Sequence, residues 1–225
     1  MESLYQRALD SETVGHSGSS FRLLPRANQY SSRIKPIVDI VIGILLLIIL
    51  SPVILVSVVL VAGSLGAPVI YTQDRIGLNG KRFRLYKLRT MIPDRRTGRG
   101  TYIGPERRQT HKSRQDPRVN AIGRLLRAVR FDELPQLWNV IRGDMSLVGP
   151  RPELPEIVAD YDEWQHRRHI VKPGLTGLWQ VSHHNGNPMH ECTEVDLEYI
   201  ATMSLSSDLS IMLRTPAAML QRRGY

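Results

Sequence analysis

The stretch R-A-V-R-F-D-E-L-P-Q-L-W-N-V-I-R-G-D-M-S-L-V-G-P-R-P-E, residues 127–153, carries two adjacent carboxylates, Asp132 and Glu133. Pro135 follows two positions later, and apolar residues then recur at helical spacing: Leu134, Leu137, Trp138 and Ile141. Proline suits the first turn of a helix because its missing N–H would have no partner there. The pattern therefore predicts that both carboxylates lie at or just before a helix N-terminus, where the helix dipole favours negative charge.

Arginines surround this carboxylate pair along the chain: Arg127, Arg130, Arg142 and Arg151. The last of them stands in a rigid G-P-R-P segment, Gly149 to Pro152, where the flanking prolines fix the backbone. Gly143 marks the predicted end of the intervening helix. Most acidic helix starts only stabilise the helix, but carboxylates crowded by guanidinium groups favour a site for a metal ion and an anion.

The length, charge and cysteine content of the chain limit its possible partners. A chain of 225 residues can bury one good core. Lysine and arginine number 30 against 21 acidic residues, a formal charge of +9, which indicates an anionic partner such as nucleic acid, anionic lipid or a phosphorylated substrate. A single cysteine, Cys192, excludes an internal disulfide.

The apolar residues concentrate near the N-terminus, after a polar tail over residues 1–32. Ile40 to Ala62 carries no charge and at about 1.5 Å per residue is long enough to cross the hydrocarbon core of a bilayer. Ser51-Pro52 lies near its middle, where proline removes a helix hydrogen bond and the serine hydroxyl can replace it.

Basic residues flank this apolar segment on both sides, with Arg33 and Lys35 before it and Arg75, Lys81 and Arg82 after it. The positive-inside rule places both flanks in the cytoplasm, which a straight spanning helix cannot achieve. A re-entrant helix that breaks at Ser51-Pro52 and returns to the same face satisfies both observations. Because proline kinks also occur in spanning helices, the residues alone leave both topologies open.

A β-hairpin is predicted over residues 69–91, because Asn79-Gly80 separates two runs rich in β-branched and aromatic residues. Lys87 and Arg89 share one parity in the return strand and are predicted to project together. They are either charges on a solvated edge strand or a pair that binds phosphate.

The remaining segments are predicted as follows. Residues 93–118 form a long basic loop, 120–130 an amphipathic helix, and residues up to 168 a helix after the G-P-R-P segment. Residues 171–181 form a shaped loop, 193–204 a helix, and Asp208 caps a last helix whose apolar side carries Leu209, Met212, Leu213 and Leu220. The histidines and cysteine at positions 183, 184, 190 and 192 fit no standard zinc spacing.

Several motifs, in order along the chain, resemble those of the bacterial sugar transferase family, the monotopic polyprenyl-phosphate phosphoglycosyl transferases. They are F-R-L-Y-K-L-R-T-M (83–91), D-E-L-P-Q-L-W-N-V (132–140), G-D-M-S-L-V-G-P-R-P-E (143–153), K-P-G-L-T-G-L-W-Q-V (172–181) and S-L-S-S-D-L (204–209). Each motif alone is weak, but the ensemble extends from about Ser31 to Tyr225 and is specific. The short form of the chain is similar to members that initiate exopolysaccharide synthesis.

The resemblance implies transfer of a hexose 1-phosphate from a UDP-sugar to polyprenyl (undecaprenyl) phosphate, with release of UMP. It implies that Asp132 is the nucleophile, which forms a covalent phosphosugar intermediate, and that Glu133 binds Mg²⁺. Arg127, Arg151 and Asp208 are carried over as active-site residues, because they occupy the matching motif positions. The chemistry is physically reasonable, since both substrates are anions that cations must neutralise during attack.

Substrate-binding residues are expected at Lys87, Arg89, Pro152, Arg75 and His184. The chain departs from the family at Q-V-S-H-H, residues 180–184, where His184 stands in place of a common arginine. The sequence does not name the sugar, although glucose or galactose is favoured over N-acetylated sugars.

Together these features predict an α+β, mostly helical fold in three parts: a disordered tail (1–32), a re-entrant membrane helix (33–66) and a compact cytoplasmic catalytic domain with interfacial amphipathic helices (67–225). The implied location is the cytoplasmic face of the bacterial inner membrane, with the lipid bilayer as a partner and a homodimer allowed. A membrane-tethered nucleic-acid binder is the alternative, but the chain has no recognised binding module and no nucleic acid is expected.

Overall fold

The computed structural model of the chain describes residues 29–92, 118–182 and 189–221. Most of the predicted tail, most of the predicted basic loop, and both His183 and His184 lie outside these ranges.

One long helix dominates the N-terminal part. A short π-helical segment, Tyr30–Ile34, leads directly into α1, Lys35–Leu65, which has 31 residues and is therefore about 46 Å long. The predicted break at Ser51-Pro52 does not interrupt the helical structure, because Pro52 lies inside α1. Pro52 cannot bond the carbonyl of Ile48, and the Ser51 hydroxyl donates to that carbonyl at 2.8 Å. The predicted repair by serine is therefore confirmed.

Both ends of α1 contact the rest of the protein. Near its start, Asp39 Oδ1 accepts a hydrogen bond from the backbone N–H of Leu147 at 3.1 Å. Near its end, Val61 is fully buried and packs with Leu88 and Leu126. The described residues include one helix long and apolar enough to cross a membrane, residues 30–65, and many of its large apolar side chains are exposed.

A hairpin follows, as predicted. Strand β1, Ile70–Ile76, pairs antiparallel with β2, Arg82–Leu88. The connection contains a short 3₁₀ turn in which Asn79 and Gly80 have φ values of 52° and 71°. Both residue types tolerate the left-handed region, which explains why this dipeptide forms the turn.

The central segment holds the motif with the two carboxylates. Helix α2, Ala121–Ala128, begins where the Asn120 side chain accepts a bond from the Gly123 N–H at 2.7 Å. A 3₁₀ turn over Phe131–Glu133 follows, and then α3, Gln136–Ile141. The carboxylates thus precede a helix and Gly143, with φ of 80°, lies just after it, as predicted.

The C-terminal part contains short elements followed by two longer helices. In order they are β3 (Ser146–Val148), α4 (Pro155–Val158), a 3₁₀ segment (Glu163–Ile170), β4 (Gly174–Thr176), α5 (Leu178–Val181), a 3₁₀ turn (Met189–Cys192), α6 (Thr193–Thr202) and α7 (Leu205–Gln221). The single helix predicted to continue to Arg168 is wrong, because α4 ends at Val158 and a new segment is capped by Asp162. Part of the predicted loop is a strand, since β4 pairs in parallel with β3.

The main core lies between the hairpin, α3, β3, α6 and α7. Its buried members are Leu85, Leu137, Val140, Met145, Leu147, Val148, Leu197, Tyr199, Ile200 and Ile211. Side chains from the first half of α1 pack against the same cluster, namely Ile42, Leu46, Leu47 and Leu50. The apolar helix is therefore part of the core on one side and exposed on the other.

The last helix, α7, exposes part of the apolar side that the sequence predicted. Leu205, Leu209 and Leu213 recur at every fourth residue and are 54%, 51% and 72% exposed, whereas Ile211 is buried. Asp208 is not the helix cap, because the Ser204 hydroxyl accepts the bond from the Ser207 N–H. The sequence placed Leu209 and Leu213 on one side of this helix, and both side chains are exposed.

Candidate active site

The carboxylate pair is buried by a tight turn between α2 and α3. Arg130 has φ of 56° and so redirects the chain immediately before the 3₁₀ turn over Phe131–Glu133. Asp132 and Glu133 are only 9% and 7% exposed. Two carboxylates at adjacent positions are both withdrawn from water, which requires nearby positive charge.

Three cations from three parts of the chain surround Glu133. Its Oε1 accepts from Arg151 Nη2 at 2.8 Å and from Lys87 Nζ at 3.2 Å, and its Oε2 lies 3.4 Å from Arg130 Nη1. Lys87 comes from β2, Arg130 from the turn and Arg151 from the G-P-R-P segment. The structure thus brings three of the predicted site residues, Glu133, Lys87 and Arg151, into contact.

Glu133 is held in its ionised form. Burial alone would raise its pKa, but Arg151, Lys87 and Arg130 outweigh burial and keep the pKa well below its usual range. Burial lowers the pKa of Lys87, and the negative charge of Glu133 opposes that change. Each charge therefore stabilises the other in a site that water barely enters.

Asp132 is the weaker acid of the pair. Burial, and then the negative charge of Glu133, raise its pKa to about 6, although Lys87, Arg127 and Arg130 act in the opposite direction. At neutral pH most of this carboxylate is ionised and poorly hydrated. A carboxylate in that state is a suitable nucleophile toward an electrophilic phosphorus.

Arg127 lies on the α2 side of the pair. Its Nε donates to the Thr90 hydroxyl at 2.8 Å, and its charge acts on Asp132. Arg75 contacts the neighbouring loop, where Nη1 donates to the carbonyl of Pro152 at 3.2 Å and lies 3.8 Å from Glu153 Oε1. The predicted residues Arg127, Arg75 and Pro152 therefore lie in or beside the same region.

Arg89, a predicted substrate-binding residue, makes its contacts away from the carboxylate pair. The Arg89 guanidinium donates to the carbonyls of Leu65, at 2.6 Å, and Gly66, at the end of α1. Lys87 and Arg89 consequently do not form the predicted side-by-side pair. The remaining substrate-binding prediction, His184, lies outside the described residues.

Asp208 lies in a buried polar cluster that joins α7 to the start of the apolar helix. It accepts hydrogen bonds from Tyr30, Lys35 and Tyr199 at 2.5, 2.5 and 2.7 Å. Lys35 also lies 3.8 Å from Asp39. These contacts attach the start of the long apolar helix α1 to the globular part, a role that the sequence pattern did not indicate.

The sequence prediction omitted two further contributors, Arg130 and Thr90. Arg130 was already conspicuous among the arginines near the pair, and its position three residues before Glu133 was the usable signal. Thr90 carried no signal, because its relation to Arg127 depends on how the hairpin packs on α2.

Within residues 29–92, 118–182 and 189–221, no group of three or more His, Cys, Asp or Glu side chains is placed to hold a metal ion. Mg²⁺ does not require such a group, because it commonly binds one or two carboxylates together with substrate phosphates and water. Among the described residues, Glu133 Oε2 makes a long contact with Arg130 Nη1, at 3.4 Å, so this oxygen suits a metal shared with a substrate. The donor set therefore fits Mg²⁺ only in the presence of a phosphorylated ligand.

The chain matches the family model described as bacterial sugar transferase over residues 30–222. This chain belongs to the bacterial sugar transferase family. The predicted family is thereby confirmed, and the sugar transferase is an enzyme.

Its curated relatives include both short and long proteins. It is 42% identical over 194 residues to exopolysaccharide production protein ExoY of Sinorhizobium fredii (strain NBRC 101917 / NGR234), covering 83% of this chain and 86% of that protein. It is 38% identical over 202 residues to a UDP-glucose:undecaprenyl-phosphate glucose-1-phosphate transferase of Caulobacter vibrioides, covering 83% and 69%. It is 36% identical over 204 residues to an undecaprenyl-phosphate galactose phosphotransferase of Salmonella typhimurium, covering 88% of this chain and 43% of that protein.

The raised pKa of Asp132 predicts that this residue lowers the stability of the sugar transferase. Above pH 6 the folded protein holds an ionised carboxylate that burial and Glu133 disfavour, so Asp132→Asn should increase the free energy of unfolding by roughly 2–3 kcal/mol at pH 8. The gain should shrink as the pH falls from 6 toward 4, because Asp132 then becomes neutral in the folded state. Thermal unfolding of the detergent-solubilised protein across this pH range measures the effect.

The matched control is Asp74→Asn, which makes the same change at an exposed carboxylate and should leave Tm nearly unchanged. A lower Tm for Asp132→Asn than for the unaltered protein at pH 8 would contradict the electrostatic account.

Proposed function

We propose that this sugar transferase moves a hexose 1-phosphate from a UDP-sugar to polyprenyl phosphate and releases UMP. The observation that carries the proposal is the buried pair of carboxylates in which Glu133 binds three cations and Asp132 retains a near-neutral pKa. Family membership supports it, and so do two relatives, one named for glucose 1-phosphate transfer and one for galactose phosphotransfer, both to undecaprenyl phosphate.

In the first step, a carboxylate oxygen of Asp132 attacks the phosphorus that carries the sugar. The new O–P bond forms as the pyrophosphate bond breaks, and UMP leaves with the bonding electron pair. Asp132 suits this role because it is not paired as tightly as Glu133, and its charge is destabilised by burial.

In the second step, an oxygen of polyprenyl phosphate attacks the same phosphorus. The Asp132 carboxylate is released as the leaving group, and the product is a polyprenyl diphosphosugar. Neither step consumes water, so a buried nucleophile also limits hydrolysis of the covalent intermediate.

The surrounding cations stabilise the phosphate charge in both steps. Lys87, Arg127, Arg130 and Arg151 together exceed the charge of the two carboxylates, so the site attracts an anion. Arg75 and Pro152 extend this region toward β1, where a nucleotide or sugar group can be contacted. Arg89 donates to the carbonyls at the end of α1 and so attaches that end of the helix to the hairpin.

Mg²⁺ is proposed as the cofactor, with Glu133 as its protein ligand, and when bound it would neutralise pyrophosphate charge and assist departure of UMP. Glucose and galactose remain the favoured sugars, and exopolysaccharide synthesis the favoured pathway, in line with the names of the relatives. The alternative of a membrane-tethered nucleic-acid binder has no support from the described residues, and homodimer formation stays a prediction.

The proposed location is the cytoplasmic face of the bacterial inner membrane. In this proposal α1 enters the bilayer, bends at Pro52 without losing its helical structure, and returns to the same side. The support comes from the two ends of α1, which are both attached to the same globular core through Asp39 and Val61. A helix that crossed the membrane would carry one of these ends about 30 Å away from the domain. We assign Asp208 to this attachment. Its role in the reaction is then to fix the distance of the active site from the membrane surface.

The sugar transferase should convert UDP-glucose or UDP-galactose and polyprenyl phosphate into UMP and a polyprenyl diphosphosugar in the presence of Mg²⁺. Asp132→Asn should abolish both products, because the amide is not a nucleophile, while the neighbouring cations remain. Chromatography of nucleotides and lipids from purified enzyme measures both products. Asp74→Asn is the control and should retain full activity; activity retained by Asp132→Asn would exclude this residue as the nucleophile.

Membrane topology is tested by labelling single cysteines introduced at Glu2 and Gln221 in a Cys192→Ser background. An impermeant thiol reagent should reach both positions only from the cytoplasmic side, since the proposed helix returns to its side of entry. The background variant without new cysteines reports unspecific labelling. Reaction of the two positions from opposite sides would exclude the re-entrant topology.

A further inference from the structure

We propose that Arg168, held by Asp196, is a positioning residue that sets how Arg151 is presented to Glu133. The inference rests on the proposed function, which places Arg151 in the active site. Arg168 and Asp196 are far from the carboxylate motif in sequence and belong to none of the predicted site residues.

The segment that carries Arg151 is held in place by hydrogen bonds to its backbone carbonyl groups. Pro150 and Pro152 have no N–H, so this segment cannot be held by a regular ladder of backbone donors. Instead, four consecutive carbonyls each accept one hydrogen bond: Pro150 from Gly174 N at 2.8 Å, Arg151 from Arg168 Nη2 at 2.9 Å, Pro152 from Arg75 Nη1 at 3.2 Å, and Glu153 from Ile76 N at 3.0 Å. The bond to the carbonyl of Arg151 itself comes from Arg168.

Arg168 is fixed on its other sides. It is 1% exposed, its Nη1 donates to the Tyr161 hydroxyl at 2.6 Å, and its Nη2 lies 2.6 Å from Asp196 Oδ2. Asp196 is also 1% exposed and belongs to α6, a helix of the main core. A buried ion pair is costly to desolvate and often adds little stability, so its use at this place is better explained by the geometry it imposes.

Arg168 affects the active site through two successive contacts, first with the backbone of Arg151 and then through the Arg151 side chain. The bond from Arg168 fixes the peptide plane that follows Arg151, and the proline rings restrict the backbone on both sides. Arg151 then places Nη2 2.8 Å from Glu133 Oε1, the shortest of the three cation contacts of that carboxylate. Arg168 makes these contacts from two nitrogens, Nη1 to Tyr161 and Nη2 to Asp196 and the Arg151 carbonyl. Lysine carries its three N–H groups on one nitrogen, which cannot occupy both positions.

The experiment compares Arg168→Lys with Arg167→Lys, the same change at the adjacent, partly exposed position of the same 3₁₀ segment. Arg168→Lys should lower kcat/KM about 10- to 100-fold, since small misplacements of a positioning group have effects of that size. Arg167→Lys should retain kcat/KM within about twofold. Thermal unfolding of each variant establishes that it is folded.

A double-mutant cycle then separates positioning from general destabilisation. In an Arg151→Ala background, Arg168→Lys should reduce the residual kcat/KM less than about twofold, because the side chain through which it acts is gone. The full 10- to 100-fold loss in that background would overturn the proposal. If Arg168→Lys does not unfold cooperatively, Tyr161→Phe replaces it in the same cycle, with the same two outcomes.

The outcomes also distinguish this inference from the proposed function. Absence of transfer by the unaltered enzyme would reject the proposed function. Transfer by the unaltered enzyme, together with additive losses in the cycle, would reject only the positioning role of Arg168.

Discussion

Glu133 is the charge on which the arrangement of the active site depends. It is buried, and its two oxygens contact Lys87, Arg130 and Arg151, which come from the hairpin, from the turn before α3 and from the G-P-R-P segment. An isolated carboxylate in this position would cost several kcal/mol, and so would the cations without it. The four groups therefore require one another, and three separated pieces of chain are drawn to one point. Asp132 is adjacent to Glu133 along the chain and therefore lies in the same buried environment, near the same cations.

The second constraint is the attachment of the apolar helix. Asp208, Lys35, Tyr30 and Tyr199 bind its start to α7 and the core, while Arg89 donates to the carbonyls at its end. The exposed leucines of α7 are consistent with contact between this helix and lipid, because an apolar stripe that the core does not cover favours an interface. Attachment at both ends would hold the carboxylate pair at a fixed distance from the membrane surface, where a lipid phosphate is found.

The sequence predicted correctly those elements that depend on interactions between residues close together in the chain. The Asn79-Gly80 turn, the helix after Pro135 and the end of α3 near Gly143 all depend on backbone preferences within a few residues. The arginines near Asp132 and Glu133 indicated a site, and the family resemblance gave each carboxylate its expected role. The structure buries both carboxylates and places three cations against Glu133.

Features that depend on long-range packing were missed. Alternation predicted that Lys87 and Arg89 project together, but the Arg89 side chain donates to the carbonyls at the end of α1. That contact depends on how the hairpin packs against the helix, which alternation does not describe. The sequence left the orientation of α7 open, because apolar periodicity identifies a stripe without saying whether protein or lipid covers it. The contact between Arg168 and the carbonyl of Arg151 joins residues 17 positions apart, and only the fold brings them together.

The most direct test of the account is to trap the phosphosugar on the enzyme. Purified protein is incubated with Mg²⁺ and a UDP-sugar labelled at the phosphate next to the sugar, without a lipid acceptor. The account predicts that UMP is released, that label is retained on a peptide containing Asp132, and that later addition of polyprenyl phosphate transfers the label to lipid. An active enzyme that never carries label, or label that persists on Asp132→Asn, would contradict it.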